Sequence, residues 1–591
     1  MSSKIYFVNQ NTKVEVEGGT LAQACERAGY PLNLVCGGRG SCGKCLTRVK
    51  RKGAIKIEEV LACSTLAEEV EEVYLEKKDY VHEGNVLTHS SLSVMEFAPA
   101  IKKRYVAREE LTPPVCGSFL SGVPLAAMKK FAALRAGYDF LGATFVYYKD
   151  HVIDIQEGHQ ESRCYGVAID IGTTTVACYF YDLAGGGRLL ETKSALNQQV
   201  VCGADVISRS VYAQESPENL AKLQDLVLDT INCMIEEAAE KVERLKENLY
   251  HVVICGNSMM QHLFYGWNPV HLGMSPFVNI TAEHLVNSGK ETGLHCAPEG
   301  VVEFLPLLGG FVGADTTAVL LTVEDDEKKY MMIDLGTNGE IAVGNQDGFL
   351  VSSTACGPAL EGGNIECGMR GTPGAIEKIS LENDRVSLQV IGDIKPQGLC
   401  GSAIIDAVSE FYRVGLMDDT GALLSADTYQ KSHPGSKLSS RIKKVEEHNL
   451  GFYFTEGENP VYLSQKDIRQ IQLAKSSIYS GCMTLLEEYG MTLEEIDALI
   501  LAGAFGTYID VEHAIAIGML PPVSKEKIVP VGNGAGQGVQ SLLLDDSLRT
   551  KLEQLPGKCK HVSLAENTGF MDLYIRNMNF GNVSSENSTD Q

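Results

Sequence analysis

Short stretches of alternating apolar and polar residues run through the first eighty positions, which is the pattern of half-buried strands. Residues 4–8 (KIYFV) and 13–17 (KVEVE) predict paired strands, and the Gly18-Gly19 turn leads to a short helix over 20–28. Further strands are expected within CLTRVKR, LACSTLA and VEEVYLE, which begin at positions 45, 61 and 70. This order predicts a small half-open sheet wrapped over one helix.

A different pattern follows after about residue 80. A polar stretch passes Pro113-Pro114 and leads to the helix-like run VPLAAMKKFAALRAG and the strand-like run ATFVYYKDHVIDIQEG. We interpret residues 81–160 as a linker and a small α/β middle domain. No chemistry is visible there, and the sequence leaves open whether the segment is a docking spacer or a structural unit.

From about residue 161, buried apolar strands run directly into glycine-rich turns. GVAID precedes IGTTT, and 164 residues later MMID precedes LGTNG, each turn being followed by a second strand. Two copies of one arrangement predict a duplicated domain over 161–578 whose halves face one another. IDALILAGAFG and IVPVGNGAGQG repeat the strand-to-glycine pattern. Residues 579–591 are polar and predict a disordered tail.

Composition narrows the function classes. The 591 residues exceed what one hydrophobic core supports, so three or four folding units are expected. The formal net charge of -25 disfavours nucleic acid and anionic membranes as partners. We find no signal-peptide pattern and no apolar run of about 18 residues, so the 17 cysteines predict a cytoplasmic protein with reduced thiols.

Four cysteines near the amino end have ligand spacing. The pattern is Cys36-x5-Cys42-x2-Cys45-x17-Cys63, with the first three in CGGRGSCGKC. Four thiolates suit a [2Fe-2S] cluster, and the intervening glycines allow backbone N–H groups to turn toward cluster sulfides. The spacing is one residue longer than the plant type and is similar to that of adrenodoxin-like ferredoxins. A zinc site is the alternative, although zinc pairs usually come as two separated CxxC units.

The same loop contains a misleading nucleotide motif. Residues 38–44 satisfy G-x4-G-K, but Cys45 stands where a P-loop has Ser or Thr. We therefore place phosphate binding at the later turns. Their N–H groups and hydroxyls can cradle phosphate oxygens, and carboxylates beside them can hold hydrated Mg²⁺. Asp315 in VGADTTA is either a water-orienting acid or the N-cap of a helix.

The succession of DIGTTT, GNSMMQH, GGFVGADTTA, DLGTNGE, GPALEGGNIECGM and LAGAFG resembles the actin, sugar kinase and Hsp70 superfamily in its corrinoid-activator branch. Together with the cysteine segment, the chain from residue 4 to about 575 resembles the ATP-dependent reductive activators of corrinoid proteins. The resemblance implies a multidomain α+β and α/β fold: a β-grasp ferredoxin-like domain over 1–80, the middle domain, and an actin-like, ribonuclease H-like ATPase domain.

The resemblance also implies a function. One electron passes from the [2Fe-2S] cluster to Co(II) of a corrinoid protein, which regenerates Co(I) for methyl transfer in an ATP- and Mg²⁺-dependent way. The implied partners are a corrinoid protein of a methyltransferase system, a low-potential electron donor and a second copy in a homodimer. Two alternatives stay open: an ATP-driven electron donor to another low-potential enzyme such as a dehydratase, and a phosphotransferase of the sugar-kinase type.

Residue roles follow from matching these motifs. The acids at the nucleotide are expected to be Asp170, Asp334 and Asp315. The nucleotide contacts are expected at Gly172, Thr173, Thr174 and Thr175 in the first loop, at Gly336, Thr337 and Asn338 in the second, and on the adenosine side at Gly503, Ala504, Phe505 and Gly506. The cluster ligands are expected to be Cys36, Cys42, Cys45 and Cys63.

Overall fold

The computed structural model divides the chain into two compact units. One consists of Met1–Tyr165, Tyr181–Leu190 and Leu544–Asp546, and the other of Gly166–Phe180, Glu191–Leu543 and Ser547–Gln591. The structure describes residues 3–9, 12–16, 18–28, 32, 45–54, 56–75, 96–111, 122–137, 139–203, 205–274, 277–324, 326–336, 338–446, 449–503, 506 and 508–581. Within these ranges, none of the helices combines the length and the apolar run that crossing a bilayer requires.

The amino-terminal domain is a five-stranded mixed sheet with one helix. Its elements are β1 (Ser3–Phe7), β2 (Thr12–Val16), α1 (Leu21–Arg27), β3 (Leu46–Arg51), β4 (Ile57–Leu61) and β5 (Val70–Tyr74). The strand order is β2-β1-β5-β3-β4, with β1 and β5 parallel and the other neighbours antiparallel. This is the β-grasp arrangement, so the predicted fold of this domain is confirmed. The strand expected within LACSTLA is wrong in position, because β4 ends at Leu61 and turns follow it.

The core of this domain follows the strand period of two on β1, whereas the buried residues of β5 are three apart because the β3–β5 register is irregular at Lys50/Arg51. Ile5 and Phe7 on β1 and Val70 and Val73 on β5 are fully buried, and they pack with Leu21 of α1 in one cluster. The helix thereby covers one face of the sheet. The ligand loop leaves from this core, because Cys45 directly precedes β3.

The middle domain is a three-stranded antiparallel sheet carrying one helix. Its elements are β6 (Ile101–Ala107), α2 (Leu125–Arg135), β7 (Gly142–Tyr148) and β8 (His151–Glu157), with strand order β6-β7-β8. Phe131 of α2 packs on Phe145 of β7, with ring centroids 6.0 Å apart. Lys130 forms an ion pair of 2.6 Å with the buried Asp154. The predicted helix and strand runs are present here, the strand run as a hairpin.

Two six-stranded sheets form the large domain, and five strands of each follow the same order, while the sixth is added at opposite edges. The strand orders are β11-β10-β9-β12-β14-β13 and β25-β24-β15-β16-β17-β26. In each sheet, three consecutive strands form a meander. A later strand lies on the other side of the first of these three, as β24 does in parallel on β15. The predicted duplication is therefore present. The strands of the first sheet are β9 (Tyr165–Ile171), β10 (Thr175–Asp182), β11 (Arg188–Leu196), β12 (Leu249–Gly256), β13 (Leu285–Ser288) and β14 (Val301–Phe304).

The second sheet has two small satellite sheets within its half. Its strands are β15 (Tyr330–Leu335), β16 (Gly339–Asn345), β17 (Gly348–Thr354), β24 (Ala498–Ala502), β25 (Ile528–Gly532) and β26 (Cys559–His561). The satellites consist of β18 (Ala375–Glu382), β19 (Arg385–Val390) and β20 (Gly398–Leu399), and of β21 (Ile442–Glu446), β22 (Asn449–Tyr453) and β23 (Tyr462–Ser464).

Helices cover the sheets of the large domain. In the first half they are α3 (Val206–Glu215), α4 (Pro217–Ala239), α5 (Leu245–Asn248), α6 (Ser258–Phe264), α7 (Gly289–Thr292) and α8 (Ala314–Thr322). In the second they are α9 (Gly401–Arg413), α10 (Ala426–Ser432), α11 (Gln465–Tyr489), α12 (Val511–Ala516), α13 (Gly534–Leu544), α14 (Arg549–Lys558) and α15 (Thr568–Arg576). The apolar faces of α9 and α11 join β15 and β16 in one continuous core.

The predicted disordered tail begins too early. Phe580 is 1% exposed, and the ammonium of Lys475 on α11 donates to the carbonyl of Asn579 at 2.7 Å. Burial of the aromatic ring and of these backbone contacts holds residues 579–581 against α11. The remainder of the predicted tail, 582–591, lies outside the described residues.

Candidate functional site

The turn after β9, which the sequence predicts to bind phosphate and which we call the first phosphate loop, is tight. The Gly172 amide donates to the Thr175 carbonyl at 3.0 Å and closes the turn between β9 and β10. A Cβ on residue 172 would lie 2.6 Å from that carbonyl oxygen, so only glycine fits there. Asn257 supports the loop from β12: its side-chain amide donates to the Thr173 hydroxyl at 2.9 Å, while its oxygen caps α6 at the Met260 amide. Asn257 thus caps α6 and at the same time holds the side chain of Thr173.

The second phosphate loop has the same construction at the end of β15. The Gly336 amide donates to the Asn338 carbonyl at 3.0 Å, and Leu335 pairs with Gly339 across the hairpin. Thr337 lies outside the described residues. The two loops therefore share a strand-turn-strand form, in agreement with the predicted duplication.

Gly503 lies against this second loop. It follows β24 with φ +89°, and a Cβ there would lie 2.5 Å from the Leu335 carbonyl oxygen and 2.7 Å from Asp334 Oδ1. Close backbone approach is the reason for glycine at this position. Its assignment to the adenosine side stays a prediction, and Ala504 and Phe505 lie outside the described residues.

Gly503→Ala tests this close approach. We expect the variant to lose at least about 2 kcal/mol of unfolding free energy and to bind ATP poorly, because the methyl group meets Asp334 and the backbone is left-handed. Gly557→Ala is the matched control, since residue 557 has open space around it. Urea unfolding and nucleotide titration of both proteins check the expectation. Equal stability and ATP affinity in Gly503→Ala and the wild type would contradict it.

Four carboxylates gather at the ends of these strands. Asp170 ends β9, Asp334 ends β15, Asp315 lies in the first turn of α8, and Glu340 lies opposite Asp334 in the β15–β16 register. Burial, together with the charges of Asp315 and Asp170, raises the pKa of Asp334 to about 7. Burial also raises the pKa of Asp315 to about 6, against a lowering hydrogen bond from the Thr316 amide. Mutual repulsion of this kind favours a cation among the acids.

Glu340 is an acid that sequence reasoning missed. Burial and the charges of Asp315 and Asp334 raise its pKa well above the ordinary value, while the Ser353 hydroxyl donates to it at 3.2 Å. Like charges directly opposite in a hairpin are destabilising, so a functional reason is expected for the pair. The available signal was a charged residue within an otherwise apolar strand, EIAVG.

Asp315 is not an N-cap. The cap position of α8 is Gly313, and Asp315 stands two residues further, where its Oδ1 accepts the Thr316 amide at 2.7 Å. The alternative interpretation is therefore wrong, because the helix begins earlier than the motif suggested. An acid in the first turn of a helix is favoured by the helix dipole.

Asn533 is a second residue that sequence reasoning missed. Its side-chain amide donates to Asp170 Oδ2 at 2.8 Å, and its oxygen accepts the Gly536 amide at 2.7 Å. The Cys255 thiol approaches the other oxygen of Asp170 at 3.7 Å. Burial raises the pKa of Asp170, and these hydrogen bonds oppose the rise. The GNGAGQG turn thus fixes the orientation of the Asp170 carboxylate.

The acids suit a hydrated ion better than a bare one. Among the described residues, no three His, Cys, Asp or Glu side chains lie close enough to enclose a metal ion together. Mg²⁺ keeps several waters and takes one or two carboxylates plus substrate phosphates, which fits acids spread around a cleft.

The thiol groups of Cys45 and Cys63 form a second site. Their sulfur atoms lie 3.2 Å apart and are buried, and the Ala62 amide donates to the Cys45 carbonyl at 3.0 Å, which joins the two segments. This separation exceeds a disulfide bond and allows both sulfurs to reach one metal ion. The residues present therefore fit a thiolate-held cluster. Cys36 and Cys42 lie outside the described residues.

Family models match most of the chain. Residues 6–68 match the 2Fe-2S iron-sulfur cluster binding domain, 165–328 the RACo middle region, and 328–589 the C-terminal domain of RACo, the ASKHA domain. The corrinoid activation enzyme RamQ of Eubacterium limosum is 40% identical over 98% of this chain and 99% of its own length. The chain belongs to the RACo family of reductive activators of corrinoid proteins.

Two further RACo-family relatives agree with this assignment. The Co(II) methylated amine-specific corrinoid protein reductase of Methanosarcina barkeri is 24% identical over 70% of this chain and 77% of its own. A solved reductive activator for corrinoid, iron-sulfur protein superposes with a TM-score of 0.72 at 28% identity, covering 98% of both chains. The resemblance stated from the sequence is confirmed, and with it a 2Fe-2S domain and an ATP-binding ASKHA domain on one chain.

Proposed function

We propose that this chain reactivates a corrinoid protein by ATP-dependent, one-electron reduction of Co(II) to Co(I). The observation that carries the proposal is the presence, on one chain, of paired thiols 3.2 Å apart and of two six-stranded sheets that each contain a glycine-closed strand-turn-strand loop. RamQ, 40% identical over nearly the whole chain, is named as a corrinoid activation enzyme. Co(I) produced in this way re-enters the methyl-transfer cycle.

The nucleotide part of the proposal assigns roles to the cleft. The amides and hydroxyls of residues 172–175 and 336–338 bind phosphate oxygens, and Asp170 and Asp334 hold a hydrated Mg²⁺. Asp315 orients a water molecule beside them. Gly503, Ala504, Phe505 and Gly506 border the nucleoside. The raised pKa values of Asp334 and Asp315 support this, because burial and the neighbouring acids raise them and a bound cation would offset both effects.

The electron-transfer part rests on the four cysteines. Cys36, Cys42, Cys45 and Cys63 hold a [2Fe-2S] cluster, which supplies single electrons at low potential when bound. In a one-electron transfer, each 59 mV by which the reduction potential of the acceptor lies below that of the donor lowers the equilibrium constant about tenfold. ATP can offset this gap only by binding one conformation of the complex more tightly than another. We therefore assign ATP the role of stabilising the complex in which Co(II) is more easily reduced.

Further parts of the proposal concern partners, location and domain limits. We propose a corrinoid protein of a methyltransferase system as acceptor, a low-potential protein as electron donor, a homodimer and a cytoplasmic location. The acidic composition, with a formal net charge of -25, supports a protein partner over nucleic acid. We keep 1–80 and 81–160 as domain limits and extend the large domain from 161–578 to residue 581, because Phe580 is buried against it.

Anaerobic absorption spectroscopy tests the proposal. The full-length protein is mixed with a Co(II) corrinoid protein of a methyltransferase system and a low-potential chemical reductant. Co(I) absorption is expected to grow only when ATP and Mg²⁺ are both present, and ADP in place of ATP should give no growth. Co(I) formation at the same rate without nucleotide, or a purified protein without two irons per chain, would overturn the proposal.

A further inference from the structure

Arg209 is a buried arginine behind the first phosphate loop. Its side chain is 0% exposed on α3, and its guanidinium donates to the Thr173 carbonyl at 2.6 Å, to Gln199 Oε1 at 3.2 Å and to the Gly203 carbonyl at 2.9 Å. All three acceptors are neutral. Asp205, the acid that acts on it through its charge, is already occupied as the N-cap of α3, where it accepts the Ser208 amide at 2.8 Å.

The neighbouring polar groups hold the same loop by its carbonyls. The Asn197 side-chain amide donates to the Gly172 carbonyl at 2.9 Å, and the Asn197 backbone amide donates to the Thr174 carbonyl at 2.9 Å. Together with the Arg209 guanidinium on the Thr173 carbonyl, these contacts bind three successive carbonyls of the loop. We call Asn197, Gln199 and Arg209 the polar shell of the loop. Because C=O and N–H point in opposite directions in a trans peptide, the amides of the three following residues are directed away from the shell. Successive amides aimed the same way form an anion-binding concavity.

Among the described residues, no carboxylate lies within hydrogen-bond distance of the Arg209 guanidinium. Burial lowers its pKa to about 10, and the charge of Asp205 opposes this lowering only in part, so the guanidinium is protonated at neutral pH. A buried charge is costly unless it is paired or hydrogen-bonded, and here it is hydrogen-bonded to neutral acceptors only. A bound polyphosphate on the other side of the loop would supply the missing negative charge.

We propose that Arg209 is a positioning residue that holds the first phosphate loop in its anion-binding form and whose positive charge acts through the loop on the phosphates of the nucleotide. The inference rests on the proposed nucleotide site. It adds a residue to that site which touches the loop and not the ligand. The shell of Asn197, Gln199 and Arg209 makes the loop rigid, and the charge selects for polyphosphate over uncharged nucleoside.

Three variants of the full-length, cluster-containing protein test the proposal by calorimetric titration with Mg-ATP and with adenosine. Arg209→Gln removes the charge, and we expect at least about tenfold weaker binding of Mg-ATP with unchanged binding of adenosine. Arg209→Lys keeps the charge and should recover part of the loss. Gln199→Glu keeps Arg209 but places a carboxylate beside it, and it should also weaken Mg-ATP binding while leaving adenosine binding unchanged.

The control is Arg188→Gln, which makes the same charge change at an exposed position and should bind both ligands as the wild type does. If Arg209→Gln does not fold, Gln199→Glu alone decides. Wild-type affinity for Mg-ATP in Gln199→Glu, or equal weakening of Mg-ATP and adenosine in Arg209→Gln, would overturn the proposal. A wild-type protein that binds no Mg-ATP would overturn the proposed function instead.

Discussion

Cys63→Ala is expected to lose iron, visible absorption and the ability to form Co(I), while ATP binding stays at the wild-type level. The Cys63 sulfur lies 3.2 Å from that of Cys45, so its removal takes away one of the two neighbouring thiolates. Loss of a group that only hydrogen-bonds to a metal ligand already lowers metal affinity about 10–100-fold. Loss of a ligand itself should lower it by at least about 100-fold. Nucleotide binding is unaffected, because the phosphate loops belong to the other compact unit.

Cys25→Ala is the matched control for this experiment. Cys25 lies on α1 in the same domain, is fully buried, and has its thiol pKa raised by burial to about 12, so it behaves as a core side chain. We expect it to keep two irons per chain and full Co(I) formation, with only a small loss of stability. Iron analysis, the visible spectrum and Mg-ATP titration of both variants give the result. If Cys63→Ala retained its iron, the ligand assignment would be wrong.

Local motifs explain why so much of the fold and site was predictable. The β-grasp strands, the two phosphate loops and the duplication all depend on residues that are near one another in sequence. A strand that ends in Gly172 or Gly336 closes its turn with a residue two or three positions away. A few adjacent residues determine such a turn, so the sequence alone could predict it.

Long-range contacts explain what the sequence did not reveal. Asn533 reaches Asp170 across 363 positions, and Arg209 reaches Thr173 across 36. Neither stands in a motif that specifies its partner, because the contact exists only after the sheets and helices have packed. The role of Glu340 was also not visible in the sequence. Its neighbour Asp334 is near in sequence, but the burial of both acids results from packing of the whole domain.

The start of α8 shows a different limit. Asp315 has the residue type of an N-cap, and the sequence allowed that interpretation. The N-cap lies two residues earlier, at Gly313, where a Cβ would lie 2.5 Å from the Cα of Asn257. Close packing of two loops, and not capping preference, therefore determines where the helix starts. The result directs the Asp315 carboxylate toward the other acids.

Asp334→Asn is expected to lose ATP-dependent Co(I) formation by about 100-fold or more, because one charged group at a preorganised site is removed. Its iron content and visible spectrum should be those of the wild type. Asp347→Asn is the matched control, since this residue is exposed at the next turn of the same sheet. Retained Mg-ATP affinity and retained Co(I) formation in Asp334→Asn would exclude the proposed role.

The same variant should be more stable than the wild type when no nucleotide is bound. Burial and neighbouring charges raise the pKa of Asp334 to about 7 from an ordinary value near 3.8. A raised pKa means that its stabilising contribution is complete below about pH 4 and is lost as the pH rises through 7. At pH 8 we expect the unfolding free energy of Asp334→Asn to exceed that of the wild type by about 2 kcal/mol. This is roughly half of what the full pKa shift would give, because the carboxylate is partly open to solvent.

Mg-ATP should reverse this order, because a ligand that binds only the folded state stabilises it in proportion to its affinity. The wild type then gains stability that Asp334→Asn does not. Melting temperatures from pH 4.5 to 8.5, with and without Mg-ATP, measure both effects. The two curves should converge at low pH, separate in favour of the variant at high pH without ligand, and cross when ligand is added. A variant less stable than the wild type at pH 8 without nucleotide would show that the acids do not repel one another in the empty cleft.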